Sequence, residues 1–176
     1  MNYISMEVIS LLLPIIFMLH DFEEIIMVDI WQKKYMKLLE MSTSKPFEHW
    51  VSTNSGAIAV LIEFLILLAV SLSSIFFQNY LIWYGVFFVF IVHFVIHYFL
   101  SFRFRHYTPG VTTAAIFMPL CLYILYDCTK QFPYGICALA ITCFVNSIIF
   151  ILFFKWLTKM IQTFGKWLSF YASKEK

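Results

Sequence analysis

Charged residues are scarce in this 176-residue chain, at 12% of the total, where soluble domains carry about 25%. That shortage excludes a soluble globular domain and a disordered tail. Glycine and proline number five each, which excludes a collagen-like chain. A net charge of +2 is too small to argue for a polyanionic partner, so no nucleic-acid binding is expected. The four cysteines, Cys121, Cys128, Cys137 and Cys143, form no C-x-x-C pair, so zinc-knuckle spacing is absent. They read as small buried hydrophobes, although Cys128 and Cys137 flank one turn and a bridge between them stays open. No G-x-x-x-G, G-x-S-x-G or Walker pattern occurs. Helix-dimer faces, serine-hydrolase elbows and P-loop chemistry therefore have no support.

What the chain does have is apolar length. Hydrophobic types make up 62% of the residues, and a helix needs about 20 of them to cross a bilayer. Five spans are expected, at about 4–28, 52–77, 81–102, 111–127 and 132–154. Apolar residues line all sides of these segments, as in lipid-embedded helices, and no period-two alternation suggests a barrel. The fold expected is an all-α integral membrane bundle forming one transmembrane domain over 1–176. The first segment lacks a basic start and carries His20, Asp21, Glu23 and Glu24, so it reads as a retained helix, not a signal peptide. Residues 29–41 and 157–171 mix aromatic and basic types in the manner of short interfacial helices, and Ser42 to Pro46 reads as a break.

Orientation follows from the basic residues. With five spans, one side holds Lys130 alone. The other holds Lys33, Lys34, Lys37, Lys45, Arg103, Arg105, Lys155, Lys159, Lys166, Lys174 and Lys176. Positive loops stay cytoplasmic, which predicts an outer N-terminus and a cytoplasmic C-terminus, with a bacterial cytoplasmic membrane as the expected location. Tyr80, Trp83, Tyr84, Tyr126 and Tyr134 form one aromatic belt, and Trp31, Trp50, Trp156 and Trp167 the other.

An ionisable side chain near the bilayer centre costs at least about 2.5 kcal/mol and marks function by default. His20, Glu23 and Glu24 lie in the first span, Glu63 in the second, and His93 and His97 in the third. His20 shares a helix face with Glu23 (i,i+3) and Glu24 (i,i+4), as His93 does with His97. At a rise of about 1.5 Å per residue, His20, Glu63 and His93 fall roughly 12–17 Å from the cytoplasmic helix ends, and Glu23, Glu24 and His97 roughly 6–9 Å. Imidazoles and carboxylates at matched depths form a ligand set for a divalent transition metal, zinc or iron foremost, as one ion or two. Glu-x-x-His pairs serve this purpose in di-metal bundles, and His20-x-x-Glu23 reverses that order. The bland alternative is a hydrogen-bonded structural network. His49 and Glu48 read as solvated loop residues, and Glu7 and Asp127 as interfacial.

Arg103, Arg105 and His106 end the third span, and Tyr107-Thr108-Pro109-Gly110 follows. The plain reading is a cytoplasmic turn with positive-inside charges. The functional one is a basic rim for a phosphate headgroup, with Tyr107 reaching inward.

H-x-x-E-E at His20–Glu24 and Y-x-P-G at Tyr107–Gly110, on a five-span chain with a further histidine, resemble the membrane protein family named for its HXXEE motif. The resemblance runs from the first span to the start of the fourth. The family's further histidine matches His93, His97 or His106. The resemblance supports the choice of residues and implies no particular reaction.

Three functions compete. The first is a membrane-embedded metal-dependent hydrolase or transferase acting on a membrane lipid or other lipophilic substrate from the cytoplasmic leaflet. Its catalytic groups would be Glu24 as general base and Tyr107. A di-iron oxidoreductase could use the same ligands, but long histidine boxes are absent. The second is a proton-coupled carrier or immunity-type protein, because intramembrane His and Glu also relay protons, although no matched pair of broken helices accompanies Pro14 and Pro119. The third is a structural or partner-binding membrane protein.

Overall fold

The structure is a computed structural model, and it describes residues 5–42, 46–48, 50 and 52–173. His49, Lys45, Lys174 and Lys176 lie outside the described residues. The described residues form six helices: α1 (Met6–Lys34), α2 (Met36–Met41), α3 (Thr53–Phe77), α4 (Leu81–Phe104), α5 (Val111–Gln131) and α6 (Ile136–Ser173). No strand occurs among the described residues.

By length and composition, α3, α4, α5 and α6 can each cross a membrane. α1 is also long, at 29 residues, but its second half carries His20, Asp21, Glu23, Glu24, Asp29, Lys33 and Lys34, which breaks its apolar run. Exposed apolar side chains cover the bundle's outer surface, among them Phe76, Phe102, Ile116, Phe144 and Leu152. Such a surface suits lipid rather than water.

α1 and α6 outrun the spans expected from hydropathy by the most. α1 continues to Lys34 before Tyr35 joins it to α2. α6 runs unbroken for 38 residues, through the segment expected as a separate tail helix. The reason is local: neither continuation contains a proline, and Gly165 alone weakens a helix by only about 1 kcal/mol.

α3 starts at a capping box in which Ser52 and Ser55 each accept the other's backbone N–H. Short connections at 78–80, 105–110 and 132–135 make sequential helices neighbours. α1 packs chiefly on α3, and α4 packs on α5 and α6. The α4–α6 contact is close: a Cβ on Gly85 would come within 2.8 Å of the Thr142 carbonyl oxygen, the small-residue approach typical of membrane helices. Leu13, Trp83, Phe87 and Phe94 are wholly buried between the helices. All four cysteines are free thiols, so Cys128 and Cys137 are not bridged.

Pro14 shows how the bundle handles a helix break. Proline has no N–H, so the Ser10 carbonyl one turn earlier loses its helical partner. Trp83 Nε1 of α4 donates to that oxygen at 3.1 Å and Ser71 Oγ of α3 at 2.8 Å. The freed acceptor thus ties three helices together, as required where water is absent. In a double-mutant cycle, Trp83→Phe and Ser71→Ala are each expected to cost about 0.5–1.5 kcal/mol. Together they should cost more than the sum, because only the double variant orphans the carbonyl. Unfolding in detergent would check this, with Pro14→Ala as the background in which the coupling shrinks.

Candidate metal centre

The polar residues of α1 and α4 meet in the interior. His20 lies in the second half of α1, and His93 and His97 are one turn apart on α4. Their Nε2 atoms form a triangle: His20 to His93 3.1 Å, His20 to His97 3.3 Å, and His97 to His93 2.9 Å. The three rings stand nearly perpendicular to one another, at 74–89°. Glu24 Oε1 joins them, 3.0 Å from His97 Nε2. One donor atom from each of His20, Glu24, His93 and His97 lies within 4.8 Å of every other. His20 and His97 are essentially solvent-free, and Phe90 and Phe94 pack on the His20 ring.

Their outer nitrogens fix the tautomers. His97 Nδ1 is 2.9 Å from the Pro109 carbonyl oxygen, which only accepts, so Nδ1 carries a proton and, in the neutral ring, Nε2 presents a lone pair. His20 Nδ1 is 2.9 Å from Thr113 Oγ1. That hydroxyl spends its own hydrogen on Glu23 Oε2 at 2.6 Å, so it accepts from His20, whose Nε2 also presents a lone pair. With all three rings neutral, at most one N–H, from His93, can face three acceptors: His20 Nε2, His97 Nε2 and Glu24 Oε1. Glu24 Oε1 is buried and makes no hydrogen bond. An electron-rich centre of this kind is stable only around positive charge. Three imidazoles and a carboxylate are ordinary ligands for zinc or iron, so these residues fit a bound metal ion.

Glu23 stands apart from this cluster. Its carboxylate accepts hydrogen bonds from Tyr107 OH (2.7 Å), the backbone N–H of Thr112 (3.3 Å), the backbone N–H of Thr113 (2.8 Å) and Thr113 Oγ1. The two N–H groups are orphan donors at the start of α5. Gly110, the N-cap, has no side chain to cap them, so a carboxylate from another helix does, where the helix dipole also favours it. Glu63 lies on α3, half-buried, and is not among the four clustered residues.

The Y-x-P-G turn sits directly on the imidazoles. Gly110 has φ +85°, and a Cβ there would lie 2.6 Å from His97 Cε1 and 3.0 Å from His20 Cε1. Pro109 supplies the carbonyl for His97, and Tyr107 supplies the hydroxyl for Glu23. The Tyr107 carbonyl accepts from Trp31 Nε1 at 2.5 Å. Burial, and then the bond to Glu23, push the Tyr107 phenol above its usual range, so it remains a donor. Arg103, Arg105 and His106 are exposed outside this centre, and His106 stacks on Tyr35 at 5.1 Å.

Sequence reasoning did not single out Thr113, Trp31 or Asp21. Thr113 had a usable signal, a hydroxyl just inside a helix that starts at a glycine. Trp31 was visible only as a belt aromatic. Asp21 is buried although its motif position reads as variable.

No curated protein and no solved structure matches this chain. The family profile described as "Protein of unknown function with HXXEE motif" matches residues 11–124. That stretch includes both motifs and both α4 histidines, and the chain belongs to this HXXEE family.

Proposed function

We propose that the protein is a membrane-embedded, metal-dependent enzyme of hydrolase or group-transfer type, acting on a lipid or other lipophilic substrate. The observation that carries this reading is the convergence of three imidazole Nε2 atoms with a buried Glu24 oxygen, 3.0 Å from His97 Nε2, in one cluster whose ligand atoms all lie within 4.8 Å of one another. His20, His93, His97 and Glu24 hold the ion. Neutral imidazoles leave most of its charge in place, so it supplies Lewis acidity and acidifies bound water. Glu24 is the ligand best placed to accept a proton as well. Tyr107 holds Glu23 at the rim as a donor. In this reading α1 crosses the membrane as a fifth span, the N-terminus is outside and the C-terminus cytoplasmic, in a bacterial cytoplasmic membrane. Arg103, Arg105 and His106 then face the phosphate headgroups of the inner leaflet.

Elemental analysis of detergent-purified protein tests the metal. At least one equivalent of zinc or iron is expected, falling below a tenth in His97→Ala. Less than a tenth in the wild type, with no uptake of added Zn²⁺ or Fe²⁺, would sink the proposal. Incubation of the loaded protein with phosphatidylethanolamine and phosphatidylglycerol vesicles, read by mass spectrometry, tests the substrate class. Lipid conversion abolished by a chelator is expected.

One observation favours a proton-coupled carrier instead. His93, His20, Thr113, Glu23 and Tyr107 form a continuous polar chain from the interior to the rim. Metal-independent proton flux in vesicles, lost in Thr113→Val, would select that reading.

A further inference from the structure

A cavity of about 360 Å³ lies at the end of the bundle where α1 stops and α3 begins. Gln32 of α1 lines it, with Pro46, Glu48 and Trp50 of the segment before α3. This end meets water, since the Lys33 and Asp29 side chains are 71% and 43% exposed. Phe47 stands between the cavity and the imidazoles. Its chain neighbours Pro46 and Glu48 line the cavity, but its ring turns the other way, onto His97 at 6.4 Å and Trp31 at 6.1 Å. The residue is 9% exposed. Its backbone is left-handed, at φ +61°, a conformation that a bulky L-residue adopts only where its surroundings impose it. Two hydrogen bonds to the Phe47 carbonyl oxygen do so, from Gln32 Nε2 at 2.8 Å and from the Trp50 backbone N–H at 2.9 Å. The cavity carries the carboxylates of Asp29, Glu40 and Glu48 against one ammonium, that of Lys33. Its surroundings have the opposite sign, through Lys34, Lys37, Arg103 and Arg105. An acidic hollow in a basic surface concentrates cations at that point.

We propose that this cavity is the aqueous port through which a divalent cation reaches the imidazole centre, with Phe47 as its plug. This rests on the metal reading above and extends it from the ligands to their supply. The carboxylates draw the ion from solution, and the Phe47 ring bars its way to His97. When Phe47 relaxes to negative φ, the ring leaves His97 and the passage opens. The Gln32 and Trp50 hydrogen bonds return it. Closed, the plug also keeps water from the centre, where a low dielectric strengthens the hold of the ligands on the ion. The plug thus sets how fast the ion enters and leaves, and the ligands set how tightly it is held.

The test is the rate of Zn²⁺ uptake by metal-stripped, detergent-purified full-length protein and the rate of Zn²⁺ loss to excess chelator, with affinity read from a chromophoric competitor. Phe47→Gly deletes the ring and suits the positive φ, so the variant is expected to fold, which thermal unfolding checks. Both rates are expected to rise at least tenfold, with the affinity within threefold of wild type. Gln32→Leu keeps the ring and removes one restraint, and should raise both rates severalfold. Glu40→Gln with Glu48→Gln should slow uptake severalfold at low salt and little at high salt. Unchanged rates in Phe47→Gly overturn the plug and leave the imidazole site standing. Faster loss with unchanged uptake also overturns it, because Phe47 would then only support His97. Wild-type uptake by the double variant at low salt overturns the port. No Zn²⁺ binding by the wild type or by Phe47→Gly overturns the metal reading, and the port with it.

Discussion

Gly110→Ala is expected to abolish high-affinity metal binding and to lower the stability of the bundle. Two independent effects act at this position. The backbone is left-handed, at φ +85°, which costs an L-residue about 1–2 kcal/mol. The new methyl would also lie 2.6 Å from His97 Cε1 and 2.7 Å from His97 Nδ1, well inside contact distance. His97 cannot retreat freely, because Phe47 stacks on it and the Pro109 carbonyl holds its Nδ1. The ring must tilt, and its Nε2 leaves the triangle with His20 and His93. A drop of more than tenfold in Zn²⁺ affinity is expected, measured by competition with a chromophoric chelator, along with a clear loss of thermal stability. Gly110→Asn separates the two effects. Asparagine tolerates positive φ, so if backbone strain alone mattered it would recover most of the binding. The Cβ clash predicts that it will not. Gly135→Ala is the control, since no atom lies within 4 Å of a Cβ built there.

The second large effect is expected from Thr113→Val, which keeps the side-chain shape and deletes the hydroxyl. Thr113 Oγ1 links the Glu23 carboxylate to His20 Nδ1. Without it, nothing holds the His20 proton on Nδ1, and the ring loses its preference for presenting an Nε2 lone pair to the cluster. Partners of this kind behind a ligand are worth about 10–100-fold in metal affinity, and that loss is expected here. Glu23 keeps Tyr107 and two backbone N–H groups, so the fold should lose only about 1 kcal/mol. Thr113→Ser should restore binding, which a purely steric role would not require. Wild-type affinity in Thr113→Val would remove the relay from the account.

These effects explain why two short motifs occur together. H-x-x-E-E supplies His20 and Glu24 to the cluster and Glu23 to the start of α5. Y-x-P-G supplies the Tyr107 hydroxyl, the Pro109 carbonyl and the side-chain-free Gly110 that the same imidazoles need. Each is short by itself. Folded, they are the two halves of one packing arrangement, and Glu23 joins them.

Much of this centre was legible before folding. Matched depths on the first and third spans, which run in the same direction, put His20 and His93 in one layer and His97 one turn below, because rise per residue is fixed. The i,i+4 spacings correctly placed Glu24 beside His20 and His93 beside His97. The spacing argument could not say which of the adjacent acids Glu23 and Glu24 turns inward. Consecutive helical residues point about 100° apart, and the choice depends on what each one meets. Glu23 meets the donors of α5, about 90 residues away in sequence, and no local pattern reports such a contact.

The sequence by itself determined the medium and the materials: long helices with no wet face, and a few acids and imidazoles too costly to bury without a partner. The tertiary structure decided which atoms face each other, and with them the outer partners of His20 and His97, the contact of Glu24 with His97, and the seat of the turn against His97. The physical reason is range. Hydrophobicity and helical pitch act along the chain and can be read from it. Lone-pair direction depends on what lies across the interface, and here the deciding partner is a carbonyl or a hydroxyl from a different helix or turn.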